Sequence, residues 1–167
     1  MAYNSAMRIT QKRLHQLFDY DADRGVLLYK TARGRMRVGD VAGWTEHKGY
    51  IRVIADGITY SVHRLIWFYV KGRWPINQLD HRDLTKSNNR IGNLREATNS
   101  QNKCNQYVRK DSQTRIRGVT EDKRTGRFRA YISIDQERRW LGFFATKIEA
   151  QSARVAALHL HGEFARE

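Results

Sequence analysis

The 167-residue chain holds a single cysteine, Cys104. That excludes an intrachain disulfide and argues against a thiolate cage for zinc, so the thiol reads as an ordinary core or surface side chain. No stretch approaches the roughly 18 consecutive apolar residues of a spanning helix. The opening MAYNSAMRIT has no apolar core of signal-peptide length. Internal repeats and low-complexity tracts are absent as well. Acidic residues are few: 17 Asp and Glu stand against 31 Lys and Arg, for a net charge of +14. A field this large speaks of partners rather than of fold, and its usual partners are nucleic acid or an anionic membrane. With no span and no leader, the expectation is a cytosolic protein that binds nucleic acid and has no membrane partner.

What is present supports folding. The chain is 40% hydrophobic and 11% aromatic, enough for a packed core, and its length suits one medium domain or two small ones. The charge is uneven. Residues 61–116 carry 11 basic and 4 acidic side chains, a higher excess than the segments on either side, so this middle third is expected to lie against phosphates. The stretch ITQKRLHQLFDYD places Ile9, Leu14, Leu17 and Phe18 near helical spacing and predicts a short amphipathic helix. A turn at Gly25 and a short strand follow. GYIRVIADGITYSVHRL predicts a hairpin, Tyr50–Ile54 and Ile58–Val62 about a turn at Asp56-Gly57. HRLIWFYVKGRWP predicts a buried helix ending near Gly72, with Pro75 just beyond it.

Residues 79–106 are polar and crowded with amides, more so than a core requires. Within them Asp80-His81 sets a hard oxygen ligand beside an imidazole. Hydrolysing a phosphodiester needs a base for water, a cation for the charge growing on phosphate, and stabilisation of the leaving 3′ oxygen. Neighbouring residues on a strand point to opposite sides, so one can hold a metal while the other faces the water. Alone, the pair also reads as a capping aspartate next to a surface histidine; the amide-rich context is what favours chemistry.

VHRLIWFYVKGRWP followed by LDHRDLTKSNNRIGNLREATNSQN closely resembles the phage-type HNH homing endonucleases. Their pattern is a DH or HH pair, an NNR-x-x-NLR segment, then T-x-x-x-N. Asn93 lies 12 residues after His81, and Asn102 lies 9 after Asn93. The resemblance implies a ββα-metal finger, a hairpin and helix clasping one divalent metal ion. It implies Asp80 as first metal ligand, His81 as general base, Asn93 as the residue that pins the loop and orients the base, and Asn102 as second metal ligand. Oxygen ligands suit Mg²⁺ or Mn²⁺, whereas Asn is a weak ligand for zinc or nickel. Asn88, Asn89 and Arg90 are expected to shape the turn. Arg90 and Arg95 are candidates for contact with DNA. His63 is expected to be structural, and His159 and His161, two apart on a helix, are not expected to act as ligands.

After a polar, basic stretch at 107–116, three alternating segments follow: RGVTE, RFRAYISI and RRWLGFF. Alternation predicts Phe128, Ala130, Ile132 and Ile134 facing a core with Leu141 and Phe143. Arg127, Arg129, Tyr131, Ser133, Arg138 and Trp140 fall on the other face, suited to reading DNA. TKIEAQSARVAALHLHG predicts a helix capped by Thr146 and stopped at Gly162. RGV at 117–119, RFRAYI at 127–132, WLGFF at 140–144 and HGEFA resemble the plant ethylene-response-factor type of DNA-binding domain. That implies three strands on one helix, with the sheet in the major groove. Thr120 and Asp122 depart from its base-reading arginines, so no target sequence transfers.

The expectation is therefore an α+β protein. It comprises an N-terminal helix and short strands (1–49), an HNH ββα-metal nuclease domain (50–106), a linker (107–116) and an ethylene-response-factor-like domain (117–167). The expected reaction is metal-dependent hydrolysis of double-stranded DNA to 5′-phosphate and 3′-hydroxyl ends. The protein would be phage-encoded, homing-like, and a monomer or homodimer in the host cytoplasm. The competing readings are a DNA-binding regulator or packaging factor with an inactive centre, and an RNA-binding module.

Overall fold

The computed structural model describes residues 9–104, 108, 112–134 and 137–164. It mixes helix and antiparallel sheet in two compact units, Met1–Glu96 and Ala97–Glu167.

In the first unit, Thr10 caps helix α1 (Gln11–Leu17) by accepting from the Arg13 N–H. The helix stops sooner than its periodicity suggested. Phe18 is already extended, and FDYD, read as helix from sequence, forms strand β1 (Phe18–Asp21). β1 pairs with β2 (Val26–Tyr29), Phe18 opposite Tyr29 and Tyr20 opposite Leu27. Tertiary pairing overrides local propensity here, because β1 buries Phe18 against the core while the turn at Gly25 reverses the chain.

A three-stranded sheet follows: β3 (Trp44–Thr45), β4 (Ile51–Ala55) and β5 (Ile58–Ser61). The β4–β5 turn holds Asp56 and Gly57 both at positive φ, the geometry that the right-handed twist of a two-residue hairpin demands. Helix α2 (Val62–Lys71) closes on Gly72 in the left-handed region, whose N–H returns to the Phe68 carbonyl. Its Leu65 and Ile66 are fully buried, worth about 1.5–3 kcal/mol apiece. They share one core with Leu14, Phe18, Leu27, Ala42, Val53, Leu79 and Leu94. The packing therefore has no break at residue 49; the N-terminal region and the segment after it are built on the same core. Strand β6 (Gln78–His81) pairs with β7 (Leu94–Ala97), and helix α3 (Asn99–Cys104) comes next in sequence.

In the second unit, strands β8 (Val119–Asp122), β9 (Arg127–Ile134) and β10 (Glu137–Phe144) form a sheet of order β10-β9-β8. Helix α4 (Lys147–Ala156) starts with a reciprocal capping box between Thr146 and Glu149. It ends before Gly162; a 3-10 segment, Leu158–Phe164, follows, with Gly162 at its kink. Val119, Ala130 and Ala150 form the core with Ile116, Phe128, Leu141 and Phe144. The expected linker is part of this unit at its end. Thr114 is buried and its hydroxyl donates to the Val119 carbonyl at 2.7 Å. Residues 105–107 and 109–111 of that stretch lie outside the described residues.

One expectation about β10 is corrected. The register slips between Trp140 and Gly142, so Phe143 lies opposite Arg129 and Phe144 opposite Phe128. This bulge reverses the alternation: Phe143 is turned outward and Phe144 takes its place in the core. Among the described residues, no helix is long and apolar enough to cross a membrane.

Candidate active site

Strand β6 delivers Leu79, Asp80 and His81, all buried. A carboxylate and an imidazole at that depth need partners. For Asp80 the partner is Arg95 on β7, whose Nε and Nη2 both lie 2.9 Å from Oδ2. Arg95 is itself 6% exposed. The expectation that Arg95 meets DNA phosphate is thereby corrected: its guanidinium faces inward, neutralising the carboxylate next to His81.

His81 is held through its Nε2, 3.0 Å from Oδ1 of the fully buried Asn89. With the amide oxygen accepting, Nε2 is the donor of this hydrogen bond. The place of Asn89 in the NNR triplet suggests a turn residue; in the structure Asn89 sets the ring's orientation. Asn93 sits in the same loop with a different task. Its Oδ1 accepts from the Asp83 N–H at 3.1 Å, and its Nδ2 donates to Asp83 Oδ1 at 2.9 Å and to the Asn88 carbonyl at 2.8 Å. Asp83 also accepts from the Asn88 side chain and the Thr85 N–H. Burial pushes the Asp83 carboxyl up, but these hydrogen bonds outweigh it and hold the group below its usual range. The loop between β6 and β7 is thus cross-braced by amides, which accounts for the local wealth of asparagine.

The β1–β2 hairpin supports that loop from outside. A Cβ added to Gly25 would lie 2.5 Å from the Arg90 nitrogen, so glycine is required by close approach as well as by its φ of 69°. The Tyr20 hydroxyl accepts from the Ile91 N–H at 2.9 Å, and Arg90 donates through Nε to the Asp23 carbonyl and through Nη1 to Asn88 Oδ1.

A second imidazole adjoins the first. His63, in the first turn of α2, has its ring centroid 5.4 Å from that of His81, edge to face, and 5.5 Å from that of Tyr50. Its Nδ1 is buried and has no hydrogen-bond partner among the described residues. Burial first, then the neighbouring His81, Arg64 and Arg52, pushes its pKa down to about 3, so it is neutral near pH 7. Lys86, in the site loop, lies over the Tyr50 ring at 4.8 Å and donates to the Lys48 carbonyl. Asn102 belongs to the second unit, on α3, where its N–H bonds the Thr98 carbonyl.

Residues 60–104 match the family model of the HNH endonuclease. Asp80, His81, Asn93 and Asn102 all fall inside the matched segment, as do His63, Asn89 and Arg95. No curated protein and no solved structure matches the chain.

On the second unit's sheet, Trp140 lies opposite Tyr131 and Arg138 opposite Ser133, so these four share a face. The Arg138 guanidinium stands 4.3 Å from the Tyr131 ring and 5.5 Å from that of Trp140. Arg129 is committed elsewhere: it is ion-paired with Asp122 and lies over Phe143. The Arg129 hydrogen bond holds the Asp122 carboxyl below its ordinary value. Arg127 is exposed and reaches the Phe143 carbonyl at 3.4 Å.

Proposed function

We propose that the protein is an HNH endonuclease of the homing type, hydrolysing phosphodiester bonds of double-stranded DNA with one divalent metal ion. The observation that carries this reading is His81, a buried imidazole inside the segment that matches the HNH model, its ring oriented through Nε2 by Asn89. In this reading Nδ1 takes the proton of the attacking water while the amide bonds of Asn93 keep the loop in place.

The donor set fits a hard cation. Among the described residues, no group of three His, Cys, Asp or Glu side chains forms a metal cage. Mg²⁺ and Mn²⁺ need none, because they retain waters and bind through one or two protein oxygens together with substrate phosphate. Asp80 and, as the resemblance implies, Asn102 would supply those oxygens, with Arg95 holding the Asp80 side chain in place. The ion, when bound, supplies neutralisation of charge on the phosphate and leaving oxygen. The second unit would contribute targeting, through Arg127, Tyr131, Ser133, Arg138 and Trp140.

The test is nicking of supercoiled plasmid with Mg²⁺ or Mn²⁺, with and without chelator. Cleavage that needs the ion and falls about 10²–10⁴-fold in His81→Ala, with plasmid binding retained, is the expected result. Near wild-type turnover by His81→Ala would overturn the assignment of the base. Asp80→Asn, which preserves shape, should raise the Mn²⁺ requirement.

A further inference from the structure

Residues 30–40 leave β2 and return without entering any core; every one of them is exposed. Arg33 and Met36 exchange both backbone hydrogen bonds at 3.0 Å around a two-residue turn at Gly34-Arg35, with Gly34 at positive φ. The base is closed by Gly39 N–H to the Tyr29 carbonyl and Tyr29 N–H to the Asp40 carbonyl. The Asp40 carboxylate accepts from the Arg37 N–H, and Arg33 Nη1 donates to the Ile54 carbonyl of β4. The result is a narrow ribbon braced by its own backbone and tied to the central sheet.

What the ribbon carries is unusual for a solvated loop. Lys30, Arg33, Arg35 and Arg37 fall within eight residues. Lys30 pairs with Asp19 and Arg33 is held at Ile54, but among the described residues Arg35 and Arg37 have no side-chain hydrogen bond or ion pair. Met36 and Val38 stand out beside them, Val38 at 66% exposed. Clustered unpaired cations on an element without a core repel one another, and the arrangement becomes favourable when a dense anion is placed against it.

We propose that the ribbon 30–40 is a second grip on duplex DNA, separate from the sheet of the second unit, with Arg35 and Arg37 as its charged contacts and Met36 and Val38 lying along the groove wall. The proposal rests on DNA being the substrate, and it adds where the nuclease unit holds the duplex beyond the scissile bond. The position follows from β4. Tyr50, next in sequence before β4, packs on His63 and His81, whereas the ribbon is tied at Ile54, four residues on. Four residues of strand span about 13 Å. The grip therefore lies a few base pairs to one side of the cut.

The experiment compares wild type with the double variant Arg35→Ala/Arg37→Ala, and with Arg35→Glu, in the full chain. Both side chains are exposed and uncommitted, so circular dichroism should be unchanged. Binding to a 30-base-pair duplex is measured across salt concentrations, and hydroxyl-radical footprints are taken on a longer duplex. The double variant should lower the slope of log K against log salt by about two, one per arginine. Its footprint should shorten on one side only, and Arg35→Glu should bind more weakly than wild type. An unchanged slope and footprint, or a wild-type chain that does not bind duplex, overturns the proposal. If the slope falls but wild type never nicks plasmid with any ion, the grip stands and the nuclease reading fails.

Discussion

His63 offers a quantitative test of how dry the centre is. The imidazole ordinarily titrates near 6.5, and burial together with the cationic surroundings pushes it down to about 3 in the folded chain. Above pH 6.5 the residue is neutral folded and unfolded, and stability does not depend on it. Between 6.5 and 3 the unfolded chain takes up a proton that the folded chain refuses, so stability falls as pH falls. Integrating the two titrations gives a loss of about 2 kcal/mol at pH 5 and about 3 kcal/mol at pH 4. His63→Phe keeps the ring against Tyr50 and His81 and removes the titration. Urea unfolding of both proteins at pH 7.5 and pH 5 isolates the effect as a double difference. Wild type should lose about 2 kcal/mol more than the variant over that interval. Equal losses would mean that His63 is already protonated in the native centre, and that the packing of Tyr50, His63 and His81 does not exclude water.

Gly25→Ala should reduce cleavage more than duplex affinity, because the added methyl displaces the Asn89-Arg90 backbone and with it the partner of His81; single-turnover nicking and a binding isotherm on the same DNA check this. Arg95→Ala leaves the Asp80 carboxylate buried without its guanidinium and should destabilise the fold by about 3–5 kcal/mol in chemical denaturation, whereas a change under 1 kcal/mol would show the pair to be solvated. On the second unit, Arg138→Ala should weaken duplex binding more than Arg129→Ala, since Asp122 already neutralises Arg129; fluorescence anisotropy with specific and random duplexes also tells base contact from phosphate contact.

The parts of this structure that were legible in the sequence are those governed by local rules. Asp56-Gly57 announces its hairpin because both positions must adopt positive φ, and the apolar run of α2 ends where Gly72 can turn left-handed. The spacing of Asp80, His81 and Asn93 marked the segment where strand and loop meet. What was hidden depends on contacts made at long range. Nothing in the NNR triplet distinguishes Asn89, which reaches His81, from Asn88, which braces Asp83. Arg95 reads as a surface cation until β7 is paired with β6 and its side chain is found against Asp80. His63 is one more residue at the start of an apolar helix until the fold sets its ring against His81. The reversal at Phe143 had a signal that alternation ignores, a glycine inside a strand at Gly142, which is where bulges tend to occur.

The contact between Gly25 and the Arg90 backbone bears on how such a centre can be moved between proteins. The segment around Asp80 and His81 looks portable, since its charged and amide residues lie close together in sequence. Yet its inner loop leans on a hairpin more than sixty residues earlier, through a glycine with no room for a side chain and a Tyr20 hydroxyl that satisfies the Ile91 N–H. A graft of residues 78–104 alone onto a foreign scaffold would carry the residues and lose their alignment. The loop's alignment is thus set as much by the hairpin that begins at Phe18 as by the residues of the loop itself.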